Sequence, residues 1–307
     1  MGRGSAVYRR LMLSLFGNRM LGRLISRHGA RLAGRFVAGR DRTSALLVVQ
    51  RLNRLGIAAT LDHLGESVRS LEEAAGFREE YLRLLDGIKL QKAKATVSVK
   101  PTQMGLALDP EACFRNVRQI AERAKKAGTS VCLDMEDSRY TELTLELVRR
   151  LHDEGHRNVT TVLQSYLYRS EEDASRLLEE GIPLRLVKGA YQEKKEIAYP
   201  NSEDILLQLL KLIRLHLEQG VFVAIGSHDD RVIGEVRAYA EKFGIDRSLF
   251  EFQMLYGLRM NVQAELAQSG YQVRCYVPYG RQWYPYFTRR LAEKPSNLWL
   301  VVRNLFR

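Results

Sequence analysis

From residue 57 onward, short β-like runs alternate with longer amphipathic stretches, and this alternation restricts the fold more than any other feature of the chain. The runs fall at 58–61, 95–99, 130–133, 159–163, 184–187, 221–225, 249–252 and 272–277. Helical patterns lie between them, among others at 110–126, 141–154, 171–180, 202–218 and 231–243. Strands that alternate with helices predict right-handed βαβ units and a parallel sheet. Eight units spaced about thirty residues apart fit a closed (β/α)8 barrel better than an open sheet. No G-x-G-x-x-G follows any strand, which disfavours a dinucleotide site of the open-sheet kind.

In such a barrel the C-terminal strand ends and the loops after them form the functional face. Here the runs finish at or near Asp62, Lys100, Asp134, Gln164, Lys188, Ser227–His228, Gln253 and Tyr276. One polar strand end says little, because loops begin with polar residues. Eight in succession, chemically varied and each following an apolar run, point to one converging site.

Two of these residues are lysines, and Lys188 admits three roles. It could be a Schiff-base nucleophile activated by desolvation. It could bind a phosphate together with the backbone of Gly189 and Ala190, where a small residue lets the chain approach an anion. It could also be held by an acid on a neighbouring strand. Local sequence does not separate the three.

A second pattern lies near the C-terminus. Tyr286, Arg289, Arg290 and Glu293 recur at i, i+3, i+4 and i+7, so they share one face of a predicted short helix over 286–293. That stripe is normally apolar, and Arg before Glu at i, i+4 is the weaker orientation for helix support. A solvated face is one explanation. The other is a paired-guanidinium clamp for a carboxylate, steadied by Glu293.

Composition narrows the class. Of the 307 residues, 45% are hydrophobic and 27% charged, as in ordinary globular chains, and no run is long and apolar enough to predict a membrane span. Three dispersed cysteines, Cys113, Cys132 and Cys275, suggest neither a disulfide framework nor a zinc site, so no metal is expected. The net charge of +12 comes largely from residues 1–40, which hold nine arginines and no acid. The rest is close to neutral, unlike a folded nucleic-acid binder. Arg19, Arg23, Arg27, Arg31 and Arg35 recur every four residues among apolar ones. This arm reads as a basic amphipathic helix that either packs on the barrel or lies on an anionic membrane surface. Arginines interrupt every candidate signal-peptide core. The expected organisation is an arm over 1–45 and a barrel over 46–307, in the cytoplasm or peripheral on the inner face of the cell membrane.

The motifs together resemble the proline dehydrogenases. From Tyr286 the chain reads Y-x-x-R-R-x-x-E, and with it stand TLDHLGE at 60–66, VSVKPT at 97–102, LDME at 133–136 and LQSYL at 163–167. RLVKGAY at 185–191, EFQ at 251–253 and YVPYG at 276–280 complete the set. The likeness runs from about residue 55 to 297, and the shared order and spacing of the motifs make it specific.

The resemblance implies a distorted (β/α)8 barrel with the last helix over its mouth, noncovalent FAD, and oxidation of L-proline to Δ1-pyrroline-5-carboxylate by hydride transfer to flavin N5. A membrane quinone is the implied electron acceptor, and the next oxidation, to glutamate, falls to another enzyme. Arg289, Arg290 and Lys100 would bind the proline carboxylate, while Leu255, Tyr276 and Tyr286 would shape the ring pocket. Asp134 and Arg185 match the catalytic positions, and Glu66 matches a gate that pairs with Arg289. FAD contacts carry over to Met135, Gln164, Arg185, Lys188, Gly189, Ala190, Ser227, His228, Gln253 and Glu293, which makes Lys188 a cofactor lysine. The chain departs from the family pattern at Asp229, in Ser-His-Asp where Thr-His-Asn is common, and at Gln192, where many members carry Trp. Two other readings remain: a related flavoenzyme for hydroxyproline, and a basic-arm binding protein without activity.

Overall fold

The computed structural model describes residues 34, 36–65 and 67–293, except the side chains of 289–293. Eight parallel strands close into a barrel in sequence order: β1 (Ala58–His63), β2 (Ala95–Val99), β3 (Val131–Leu133), β4 (Val159–Gln164), β5 (Leu184–Val187), β6 (Val223–Gly226), β7 (Phe250–Leu255) and β8 (Gln272–Tyr279). Around them run α1 (Arg42–Arg54), α2 (Leu71–Leu90), α3 (Pro110–Lys126), α4 (Thr141–Asp153), α5 (Ser170–Glu179), α6 (Ser202–Glu218), α7 (Asp230–Phe243), α8 (Met260–Gln268) and α9 (Trp283–Glu293). The expected closed (β/α)8 architecture is what the chain adopts.

Period-two alternation gives every strand two different faces. Outward residues such as Leu61, Val97, Val99, Leu186, Ile225, Phe252 and Val277 are fully buried against the helices. That layer also contains Tyr81, Leu84, Val117, Ile120, Leu145, Leu209 and Val232, and it is the hydrophobic core. The inward positions can be followed around the ring by register. Thr60 pairs with Thr96, Asp62 with Ser98, Ser98 with Cys132, Arg185 with Ala224, Gly226 with Gln253, and Leu255 with Tyr276. The inner face therefore carries the charged strand residues among polar and small ones, where the outer face is largely apolar.

Helix starts follow local chemistry. Asp41 accepts from Ser44 N at 2.8 Å, Ser70 from Glu73 N, and Asp109 from Glu111 N, with Pro110 in the first turn where no amide donor is needed. Gly87 gives α1 and α2 a close approach, since a Cβ there would lie 2.7 Å from Leu46 Cδ1 and would make that side chain shift.

Three differences from expectation have physical causes. β7 and β8 run past Gln253 and Tyr276 to Leu255 and Tyr279, so these two side chains point into the barrel from within strands. Both strands continue because their neighbours supply partners, Leu255 opposite Tyr276 and Tyr279 opposite His63. The last helix begins at Trp283, earlier than 286, and its Trp283 and Phe287 pack edge to face. The boundary drawn at residue 45 falls inside α1, where Ala45 and Leu46 are both buried.

The arm over 1–33 and the gate residue Glu66 lie outside the described residues, as do the side chains of Arg289, Arg290 and Glu293. The seam between β1 and β8 is reinforced near both ends of the described chain. Ala38 N donates to Pro278 O, Gly280 N donates to Gly39 O, and Glu80 accepts from both Arg42 and Tyr279.

Candidate active site at the barrel mouth

Three acid–base pairs stand on the inner face of the strands. Lys100 Nζ donates to Asp62 Oδ1 at 2.9 Å and lies 3.9 Å from Asp134. Arg185 Nη1 donates to Asp134 Oδ1 at 2.8 Å, and Arg274 Nε donates to Glu251 Oε1 at 2.7 Å. Buried charge is expensive unless paired and hydrogen-bonded, and each of these carries a partner.

Asp134 is the hub. Its Oδ1 also accepts from Ser98 Oγ at 2.6 Å, and its Oδ2 accepts from Tyr276 Oη at 2.7 Å. The Arg185 guanidinium lies over the Tyr276 ring, 5.5 Å from its centroid. Burial pushes the Tyr276 phenol well above its ordinary range and nearby Asp134 pushes it further, so the hydroxyl stays a donor. Burial opposes charge on Lys100 and Arg185. Asp62 and Asp134 outweigh it for the lysine, as the Asp134 carboxylate does for the arginine, and both remain cations. A lysine held so firmly in the ammonium form is a charge donor and a poor nucleophile.

A second group lies along the rim at β4–β7. Gln164 donates to the Glu136 carbonyl at 2.8 Å, and Glu136 is anchored by the backbone and hydroxyl of Thr102. Burial raises the Glu136 carboxyl and those two hydrogen bonds counter it in part. Lys188 Nζ donates to Asp229 Oδ2 at 2.6 Å, while the other Asp229 oxygen caps α7 by accepting from Arg231 N. Of the three roles open to Lys188, the structure shows the ion pair with an acid after the neighbouring strand. Ser227 Oγ accepts from Asp229 N, and His228 Nε2 accepts from Leu255 N at 2.9 Å. His228 and Leu255 are thereby fixed to each other across β6 and β7. Gly189 sits at φ +113°, and a Cβ would lie 2.4 Å from the Tyr166 ring, so this glycine has a fold-based requirement of its own.

Of the residues singled out from the sequence, Lys100, Asp134, Arg185 and Tyr276 form one connected cluster. Lys188, Ser227, His228 and Leu255 form the neighbouring rim group, with Gln164 bonded to Glu136 beside it. Met135 and Tyr286 are buried, and Gln253 points inward from β7 beside Gly226. Ala190 follows Gly189 in the loop after β5. Sequence reasoning missed Ser98, Glu251 and Arg274 as members of the network. Their signal was available as polar residues in period two with Lys100, Gln253 and Tyr276.

The inner face fits a bound nitrogen-heterocycle cofactor. Arg185 Nε is a buried donor and Gln253 Oε1 a buried acceptor, and neither has a partner within the protein. They are two of fifteen such atoms among the described residues, and because both belong to inward-facing residues of β5 and β7, a ligand there carrying both an acceptor and a donor would satisfy them. Lys188 is the rim cation a phosphate-bearing ligand would meet, in competition with the Asp229 carboxylate that pairs with it and caps α7.

Other features fit a site less well. A groove of about 650 Å³ lies between α5, α6 and α7, lined by Leu207, Lys211 and Glu235 among others. It is on the outer wall, remote from the polar strand ends. Among the described residues no cluster of His, Cys, Asp or Glu is arranged for a metal, and no helix is long and apolar enough to cross a membrane. The three cysteines are buried, and burial pushes the Cys275 thiol up to about 12.

Known proteins share this sequence and fold. The sequence model of the family described as proline dehydrogenase matches residues 45–301. A proline dehydrogenase of Deinococcus radiodurans is 40% identical over 305 residues, covering 98% of each chain. Proline dehydrogenase 1 of Bacillus subtilis is 40% identical over 300 residues, covering 97% of this chain and 99% of the other. Among solved structures, proline utilization A (PutA) of Bdellovibrio bacteriovorus, inactivated by N-propargylglycine, superposes with a TM-score of 0.81 at 27% identity. That likeness covers 95% of this chain and 35% of the longer PutA chain. The chain belongs to the proline dehydrogenase family.

Proposed function

We propose that the protein oxidises L-proline to Δ1-pyrroline-5-carboxylate, the first step of proline catabolism to glutamate, with noncovalent FAD and a membrane quinone as final acceptor. The observation that carries this reading is the Lys100–Asp134–Arg185–Tyr276 cluster, set at the barrel mouth of a chain that belongs to this family. FAD, when bound, supplies the two-electron acceptor for the hydride that leaves proline C5.

The protein's own residues do the rest. Lys100, kept cationic by Asp62 and Asp134, offers charge to the proline carboxylate. Arg289 and Arg290 would complete the clamp from α9, with that helix over the mouth, because a planar guanidinium fork matches a carboxylate and stays charged. Tyr276, Tyr286 and Leu255 enclose the ring, so that the reacting carbon is held in one orientation. Asp134 is the catalytic anchor that fixes Arg185 and Tyr276 together, and Arg185 places a fixed positive charge where negative charge accumulates during the reaction. Glu66 gates the mouth by pairing with Arg289.

Lys188, Gly189, Ala190, Ser227 and His228 would hold the phosphate and ribose portions. Met135, Gln164, Arg185 and Gln253 would hold the ring, and Glu293 the sugar-alcohol chain. The basic N-terminal arm that precedes α1 would serve as a peripheral contact with the inner face of the cell membrane, close to the quinone, and the (β/α)8 body would be the catalytic barrel.

Steady-state kinetics with a quinone acceptor, comparing L-proline with trans-4-hydroxy-L-proline, test the reading. Turnover of L-proline by a yellow protein, with a higher kcat/KM than hydroxyproline, is the expected result. A colourless protein that FAD does not reconstitute would overturn it.

A further inference from the structure

We infer that Glu251, held by Arg274, is a positioning residue that fixes the polarity of the Gln253 carboxamide, so that its oxygen receives an N–H from the bound ring. The inference rests on the FAD reading and concerns a residue to which that reading gives no role.

The argument begins with one oxygen. Glu251 Oε1 accepts from Arg274 Nε at 2.7 Å and from Gln253 Nε2 at 2.5 Å. Arg274 is itself braced, since its Nη1 donates to Ala59 O at 2.9 Å across the β1–β8 seam. Glu251 is 4% exposed and Gln253 is 7% exposed, so water does not compete freely for these atoms. A carboxylate only accepts, whereas a carboxamide has one donating end and one accepting end. The Gln253 NH2 must therefore face Glu251, because the flipped amide would set two acceptors against each other. This choice leaves Gln253 Oε1 on the other side, buried and without a partner in the protein.

What sits opposite follows from the neighbouring strands. Arg185 of β5 is level with Ala224 of β6, and Gln253 of β7 is level with Gly226. Ala224 and Gly226 share the inward face, so β6 places nothing larger than a methyl group between Arg185 and Gln253. Arg185 Nε, on the inner face of β5, is also buried without a partner in the protein, and it is a donor. A donor on one side and a forced acceptor on the other match a ring edge with a carbonyl beside an N–H. The imide of an oxidised flavin is such an edge, and its N3–H is the only ring N–H that form carries. The Arg274–Glu251 pair thus acts through Gln253, one strand position below the ligand.

Competition between FAD and its N3-methyl analogue for the full chain tests this, read as the ratio of the two flavins retained after gel filtration. Loss of stability weakens both flavins alike and leaves the ratio unchanged, whereas loss of amide polarity changes it. Wild type should prefer FAD on the order of 100-fold, the scale set by an unpaired buried acceptor. Glu251→Gln should reduce the preference to about tenfold or less, since an amide there satisfies either orientation of Gln253. Gln253→Leu, which keeps the Arg274–Glu251 pair, should abolish the preference and serves if Glu251→Gln does not fold. An undiminished ratio in either variant, or equal retention of both flavins by wild type, overturns the inference while leaving the flavin reading intact. Retention of neither flavin by wild type would instead overturn the FAD reading.

Discussion

The same eight strands have two faces that solve opposite problems. The outer face packs Leu61, Val99, Ile225, Phe252 and Val277 against helices. The inner face carries Asp62, Lys100, Asp134, Arg185, Glu251 and Arg274 a few ångströms away. Apolar burial is non-directional and rewards volume, while buried ion pairs roughly break even on stability and demand exact partners. Stability should therefore reside in the outer face and chemistry in the inner one. Because the faces alternate residue by residue, neighbours such as Glu251 and Phe252 belong to different systems.

The strongest challenge to that division is Asp134→Ala. It strands the Arg185 charge and frees Tyr276 and Ser98, so about 3–5 kcal/mol of stability should be lost. Under the proposed function, proline turnover should fall on the order of 1,000-fold at a temperature where the variant remains folded. Chemical denaturation and steady-state kinetics together give both numbers; near-wild-type turnover would show that the cluster is structural only. Phe252→Ala comes next. This residue is fully buried on the outer face, among Phe250 and Tyr271. It should cost about 3–5 kcal/mol, yet leave KM for proline unchanged in the folded population. A large KM shift would mean that the faces are mechanically coupled.

The smallest effect is a dependence on pH. Burial lowers His63, His152 and His216 below their usual value of 6.5. His152 and His216 are tied to backbone carbonyls behind the barrel wall, at 2.7 and 2.8 Å. A depressed histidine stays neutral in the folded state while the unfolded chain takes up the proton. Stability is thus complete above 6.5 and declines as pH falls from there through the lower folded-state values. Melting temperature should drop between pH 7 and 5, and replacing His152 and His216 with glutamine should flatten the slope. An unchanged slope would assign the acid sensitivity to the mouth.

Much of this organisation was legible along the chain, because period-two and period-3.6 patterns are local. The barrel followed from strand spacing, and the cluster members Lys100, Asp134 and Arg185 followed from polar strand ends or family motifs. What escaped was pairing between strands. Nothing near Asp229 reveals that it meets Lys188, since the contact depends on β5 lying beside β6. Glu251 and Arg274 likewise meet only because β7 and β8 are adjacent in register. The ends of β7 and β8 were set too early for a similar reason, as polar residues facing inward look like the start of a loop. Gly87 in α2 resembles a helix breaker until Leu46 is seen against it.

The β1–β8 pairing has a consequence for the polar interior. Six residues of β1 lie in register with β8, from Ala58 opposite Arg274 to His63 opposite Tyr279. These contacts join residues more than two-thirds of the chain apart, and the same seam carries Arg274 Nη1 on Ala59 O and the clasp around Glu80. Arg274 is also the residue that anchors Glu251. The barrel's closing seam and its polar interior thus share one side chain, and a change that opens the β1–β8 edge at Arg274 would also release the brace on Glu251.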